Sequence, residues 1–388
     1  MLKNIEIKGY RSLKDVSIDL EPLNVLIGPN GGGKSNFMDV FTLLKLGAAG
    51  SLSDAIASRG GFDALRFGSG KSSSKSLAVS LDVLPPEDST EDHAQLRYEF
   101  ELTPLRNEYQ VWRESLYEGH GEQRKETLFR ENGDWRGPFE KRSDPERTFP
   151  GYTNELALSQ LRDPTSYPSL YDLTQMLMWM VYPPIDVSQD SPIRRPQTTR
   201  SGLRVFRGCD NTAAVLYAVS QTHRSIWADV LDVLRVGFPD LDDIRFPPEG
   251  GDGKVNLRWF EKPFRDEAGF SAEHLSDGVM RMLALVAILM TPEPPPLICI
   301  DEPEIGLHPH LVNIVAELLQ SAATRTQLIV ATHSPELVSK LKPNEVVVVE
   351  KEDGATVMER LSEDDLAVWR DKFRLGELWL AGDIGGRP

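Results

Sequence analysis

Gly28-Pro29-Asn30-Gly31-Gly32-Gly33-Lys34-Ser35 follows the apolar run Asn24-Val25-Leu26-Ile27 and precedes Phe37, Val40, Phe41 and Leu44, which recur at helical spacing. A short buried strand therefore runs into a glycine-rich loop and on into a helix. That is the context in which G-x-x-x-x-G-K-[ST] has chemical meaning. The glycines let successive backbone N–H groups turn inward as a nest for anions, and the helix N-terminus adds positive potential. Lys34 is placed to neutralise β- and γ-phosphate charge, and Ser35 to offer its hydroxyl to Mg²⁺.

Working outward, Ile5 and Ile7 alternate with Glu6 and Lys8, and Val16, Ile18 and Leu20 with Ser17 and Asp19, which predicts an antiparallel hairpin turning near Gly9 to Leu13. Far downstream the same kind of pattern returns. Val279 to Met290 predicts a helix buried on all sides, Leu297 to Ile300 a buried strand, Leu311 to Leu319 a helical stripe, and Leu328 to Ala331 and Val346 to Val349 further strands. Strand, helix, strand in alternation implies a parallel sheet. The strand at 297 ends in Asp301-Glu302, two carboxylates delivered to the sheet edge where parallel sheets bind ligands. Asp301 is expected to hold a metal shell opposite Ser35, and Glu302 to orient or deprotonate an attacking water. Crossover geometry puts His333, which ends the next strand, on the same edge, within reach of a γ-phosphate. His274-Leu-Ser276-Asp277-Gly278 precedes the buried helix. Ser276 reads either as its N-cap or, with Gly278, as a second phosphate site facing a partner.

Residues 104 to about 200 lack a regular period and read as an inserted helical or irregular lobe. Residues 211 to 237 look like amphipathic helix. Between Asp190 and Asp210 no acid occurs, whereas Arg194, Arg195, Arg200, Arg204 and Arg207 do, with Phe206 among them. This stretch is the candidate for gripping DNA phosphates and stacking a base, against the alternative of a solvated loop. His308 and His310 flank Pro309. A structural role is expected, because no carboxylate or Cys cluster completes a metal site.

The 388 residues are enough for two to three domains at ~150 residues each, and a net charge of −16 opposes diffuse attraction to nucleic acid or anionic lipid. Any polyanion site must be local. Two isolated cysteines, Cys209 and Cys299, exclude a disulfide framework or CxxC zinc site and fit a reducing compartment. With no apolar signal region at the start and no apolar run near the ~18 residues a membrane span needs, a cytoplasmic protein without membrane contact is expected.

Taken together, the loop at 28–35, Leu275-Ser-Asp-Gly278, Ile300-Asp-Glu-Pro-Glu304, Gly306-Leu-His-Pro309 and Thr332-His333-Ser334 resemble the ABC-type ATPase head of the RecF/SMC-like group. Within it the chain is similar to stand-alone ATPases of the AAA_21 or AAA15 type, which share a head with overcoming-lysogenization-defect (OLD) proteins. Asp277 and Val279 stand where an ABC signature usually carries Gly and Gln.

The resemblance implies an α/β P-loop fold with a mainly parallel core sheet and an antiparallel N-terminal β subdomain. It divides the chain as 1–103 and 211–388 for the two parts of the head, with 104–210 inserted. It implies ATP and Mg²⁺ as cofactors, with Asn30, Gly31, Gly32, Gly33, Lys34, Ser35 and Asn36 holding the triphosphate and Arg11 approaching it. Ser35 and Asp301 serve the metal, Glu302 is the catalytic base and His333 senses the γ-phosphate. Ser276 and Gly278 reach across a homodimer to the other copy's nucleotide.

The function expected is a nucleotide-gated dimeric switch in DNA maintenance or anti-phage defence. Val349 to Gly354 lacks the pattern of a Toprim nuclease domain and only 34 residues follow Gly354, so any nuclease or toxin is expected on a separate chain. The alternatives are the ATPase subunit of a membrane transporter and a DNA-binding scaffold with weak ATPase.

Overall fold

A computed structural model of the chain describes residues 1–68, 73–84, 95–106, 108–119, 124–132, 134–136, 153–199, 202–249, 253–264, 268–363 and 373–386. The chain divides into two units. One comprises Met1–Trp179, Val347–Leu361 and Ile384–Pro388, the other Met180–Val346 and Ser362–Asp383.

The first unit opens with β1 (Leu2–Tyr10) and β2 (Leu13–Asp19), the antiparallel hairpin that the alternation dictates. Then come β3 (Leu23–Ile27), buried at every residue, and α1 (Lys34–Ala49). After these, β4 (Leu77–Val83), β5 (Leu96–Leu105), β6 (Glu108–Glu118), β7 (Lys125–Glu131) and β8 (Asp134–Arg136) join the hairpin in a seven-stranded antiparallel sheet of order β2-β1-β4-β5-β6-β7-β8. Its register lines up Ile18, Ile5, Leu81, Tyr98, Leu116 and Leu128 across six strands, none more than 6% exposed. Such cross-strand rows are the unit of sheet stabilisation.

Among the described residues, those between 108 and 136 thus continue a regular sheet in β6, β7 and β8, where the sequence reads as helical or irregular. The cause is a pair of buried charges. The next row runs Val16, Ile7, Val79, Phe100 and then Glu114 and Arg130, so two inward positions that should be apolar are ionisable. Glu114 is fully buried. Both its carboxylate oxygens accept the Ala157 N–H at 2.8 Å, and Oε1 accepts the Tyr98 hydroxyl at 2.7 Å. Burial pushes this carboxyl above its ordinary value despite those donors.

The second unit begins with β9 (Met180–Tyr182). Two helices follow, α2 (Thr212–Thr222) and α3 (Arg224–Gly237), across the stretch expected to be helical. His223, at φ −133° and ψ 69°, leaves helical geometry, and Thr222 spends its hydroxyl on the Ala218 carbonyl. Next are α4 (Asp277–Leu289), β10 (Leu297–Asp301), α5 (Pro309–Ala322) and β11 (Gln327–Ala331). β10 pairs in parallel with both β11 and β9. The interiors of β10 and β11 are fully buried, as strands covered on both faces must be. The chain then adds the hairpin β12 (Val346–Glu352) and β13 (Ala355–Arg360), with β12 beside β3. Among the described residues no helix is long and apolar enough to cross a membrane.

Candidate nucleotide site

The glycine-rich loop lies in the first unit, and close approach by the final hairpin sets its shape. Gly28 (φ 147°) and Gly33 (φ 123°) occupy backbone regions that side chains rarely enter. A Cβ on Gly28 would collide with the Val349 carbonyl, and one on Gly33 with the Thr356 side chain. Thr356 Oγ1 lies 2.8 Å from the Gly32 carbonyl oxygen and 2.7 Å from Ser12 Oγ, and Asn36 Nδ2 donates to that same Ser12 oxygen at 2.7 Å. The loop is therefore tied down before any ligand arrives. Lys34, 6% exposed, donates from Nζ to the Gly28 carbonyl at 2.6 Å and to that of Pro29 at 3.2 Å. Asn30, Gly31 and Ser35 are exposed, whereas Gly32 and Gly33 are buried.

Arg11 sits beside the first turn of α1. Its Nη1 is 3.1 Å from Asp39 Oδ2 and 3.5 Å from Asn36 Oδ1, so the structure brings Arg11 and Asn36 together. Asp39 also accepts the Tyr10 hydroxyl at 2.6 Å and the Arg59 guanidinium at 2.5 Å. Burial alone would raise its carboxyl, but hydrogen bonds from Arg59 and Tyr10, with the charges of Arg59 and Arg11, hold it below the ordinary value. A depressed carboxylate contributes stability that is present above its unfolded pKa, about 4, and is lost as pH falls through the folded value. Asp39→Asn is therefore expected to cost about 2–3 kcal/mol at pH 7. Its stability deficit, read from denaturant titrations, should shrink below pH ~4. A deficit independent of pH down to ~2 would contradict the charge assignment.

In the second unit, the parallel register sets Asp301 of β10 level with Ala331 of β11. Glu302 follows in the left-handed region at φ 48°, an uncommon conformation for a residue with a side chain, and its N–H donates to the Ala331 carbonyl at 2.8 Å. That backbone turn leaves Glu302 Oε1 3.8 Å from His333 Nε2, with both side chains about 30% exposed or less. Glu304 holds the next layer. Its Oε1 accepts the Thr332 hydroxyl at 2.7 Å and the His333 N–H at 2.8 Å, while burial, with the Glu302 charge, pushes its carboxyl up. Ser276, exposed, caps α4 by accepting the Val279 N–H at 3.4 Å, and Gly278 is half-exposed in the first turn.

Glu304, Ser12 and Thr356 carried no role in the sequence reading. Glu304 closes the Ile300-Asp-Glu-Pro-Glu304 motif, a signal by which it can be found. Ser12 and Thr356 are 344 residues apart and give no local sign.

Of the five arginines between 194 and 207, the structure removes Arg194 from the candidate nucleic-acid surface. Arg194 is 1% exposed and bonded on all sides, so it grips no nucleic acid. Arg195 pairs with Glu273 and Asp190, Arg200 lies outside the described residues, and Arg204, Phe206 and Arg207 remain exposed. His308 caps α5 through the His310 N–H, and His310 Nε2 meets the Val236 carbonyl oxygen at 3.2 Å.

The AAA_21 family, described as "AAA domain, putative AbiEii toxin, Type IV TA system", matches residues 23–339. An OLD nuclease of Thermus scotoductus is 39% identical over 44 residues, a stretch that makes up 11% of this chain and 8% of that protein. Among solved structures, an Smc head bound to the C-terminal winged-helix domain of ScpA is similar at TM-score 0.60 and 18% identity, over 94% of this chain and 98% of that one. An Smc head with an extended coiled coil, bound to the C-terminal domain of ScpA and derived from Pyrococcus furiosus, is similar at TM-score 0.57 and 16% identity, over 95% and 98%. The likeness to these heads is one of fold, an α/β P-loop head of the ABC type. With the family match extending from β3 past β11, the chain belongs to the AAA_21 family of P-loop ATPases.

Proposed function

We propose that this chain binds ATP on the Gly28–Ser35 loop, hydrolyses it with the groups that end β10 and β11, and works as a nucleotide-gated homodimer. The observation that carries the reading is the meeting of Glu302 and His333, 3.8 Å apart, at the carboxyl ends of two paired parallel strands. In this reading Lys34 trades its carbonyl partners for phosphate oxygens. The N–H groups from Asn30 to Ser35 cradle the phosphates, and Arg11 and Asn36 flank them. Glu302 orients a water and takes its proton as the water oxygen bonds to the γ-phosphorus and the β–γ bridge breaks to release ADP. His333 holds a γ-phosphate oxygen. Thr332 and Glu304 fix the backbone that presents it.

The Ser35 hydroxyl and the Asp301 carboxylate are hard oxygen donors of the type that suits Mg²⁺, which when bound would supply charge neutralisation. Ser276, exposed at the N-cap of α4, and the half-exposed Gly278 in its first turn complete the nucleotide site of the other copy. The pathway proposed is DNA maintenance or anti-phage defence, with a nuclease or toxin on a separate chain. The local likeness to an OLD nuclease supports that direction.

A mixing experiment tests the shared site. Lys34→Ala chains and Ser276→Arg chains are each expected to be inactive. Mixed in equal amounts, they should regain about a quarter of wild-type hydrolysis, because half the dimers are mixed and each of those has one whole site of two. No recovery would remove the trans role of Ser276.

A further inference from the structure

Arg194 is one of the five arginines that the sequence offers to phosphate, and the structure withdraws it to 1% exposure. Its Nε donates to the Val187 carbonyl at 2.8 Å. Nη1 donates to the carbonyls of Ala272 at 2.9 Å and Leu275 at 2.6 Å, and Nη2 to Asp277 Oδ1 at 2.5 Å. Three of the four acceptors therefore lie on the 272–277 run, which carries Ser276. Neighbours of Arg194 hold the same run: Gln189 Nε2 donates to the Glu273 carbonyl at 2.9 Å and Arg195 Nη1 to its carboxylate at 2.6 Å. At its other end the 185–195 segment is held too. Arg281 donates to the Ile185 carbonyl through Nη2 and to the Ile305 carbonyl through Nη1, just after Asp301 and Glu302.

A guanidinium is an expensive way to fill a core, since an apolar side chain of equal volume usually does as well or better for stability. What it supplies is a rigid, planar fork whose donors hold several acceptors in fixed relation. Here two of the four acceptors are carbonyls and a third is the Asp277 carboxylate of the short 272–277 run, which carries Ser276 into the start of α4.

We propose that Arg194 is a positioning residue that holds the 272–277 run in the geometry by which Ser276 meets the other copy's nucleotide. The proposal rests on the trans role given to Ser276 above. Arg194 touches no nucleotide itself. Its loss should spare nucleotide binding by the chain's own loop and impair the steps that need two copies.

The test uses the full chain with ATP and Mg²⁺, in Arg194→Lys, which keeps the charge without the fork, and in Asp277→Ala, which removes one acceptor whose side chain is 67% exposed and so leaves folding intact. Both are expected to lower kcat about tenfold or more and to raise the protein concentration for ATP-dependent dimerisation by a similar factor. Affinity for a fluorescent ATP analogue should stay within about twofold in both. The double variant should be little worse than Arg194→Lys alone, since both changes break one contact. Wild-type kcat and dimerisation in Asp277→Ala and in folded Arg194→Lys would overturn the proposal. So would losses matched by equal losses in nucleotide affinity, the mark of a purely structural role. If the mixing experiment succeeds while these variants behave as wild type, only the Arg194 assignment fails. If wild-type chains stay monomeric in ATP, the reading of Ser276 fails first.

Discussion

Glu302→Gln is expected to lower kcat for ATP hydrolysis by about 10²–10⁴-fold while leaving nucleotide affinity within a few-fold of wild type. Glutamine keeps the shape and one acceptor oxygen but cannot take a proton from water. The residue holds φ 48° through the Ala331 carbonyl, a contact made by backbone, so the substitution leaves the turn in place. The nucleotide should then persist unhydrolysed, and light scattering in ATP and Mg²⁺ should find a dimer that is absent in ADP. Hydrolysis at the wild-type rate would remove Glu302 as the base. A variant that is inactive yet monomeric in ATP would separate hydrolysis from dimerisation and end the proposed gate.

The second large effect is expected at Lys34. The residue is 6% exposed and its ammonium already spans the carbonyls of Gly28 and Pro29, so it is a buried cation positioned before the ligand binds. Charge-assisted hydrogen bonds contribute about 1.5–3 kcal/mol each, so Lys34→Ala should weaken ATP binding by roughly 10²-fold, read by calorimetry. Because charge grows on the bridging oxygen in the transition state, kcat/KM should fall by more than binding alone does. AMP, which lacks β- and γ-phosphates, should lose far less affinity than ATP. Equal losses for both nucleotides would show that the substitution collapsed the loop instead of removing a phosphate contact.

The parts of this molecule that read directly from its sequence are those whose physics is local. Apolar alternation in Leu2–Tyr10 and Leu13–Asp19 gives a hairpin because the strand period is two and one face is buried. The continuous apolar runs ending in Ile27, Asp301 and Ala331 give strands covered on both faces, and the spacing from Asp301 to His333 leaves room for one crossover helix. The glycines of the loop announce a backbone that must turn into regions closed to other residues. What blurs the reading is buried charge. Glu114 and Arg130 occupy core positions in β6 and β7, and with two ionisable residues in the inward row the period that marks a strand disappears.

Local chain chemistry by itself determined the phosphate loop, the acidic strand end and the histidine after the next strand, because each is written in consecutive residues. Only the tertiary structure decided that Arg194 serves the 272–277 run and not nucleic acid, that Glu304 holds the backbone of His333, and that Thr356 braces the loop at Gly32. A polar side chain takes its role from the partners that replace water around it when it is buried. Those partners lie 29 to 324 residues away in these three cases, a distance over which no sequence pattern extends.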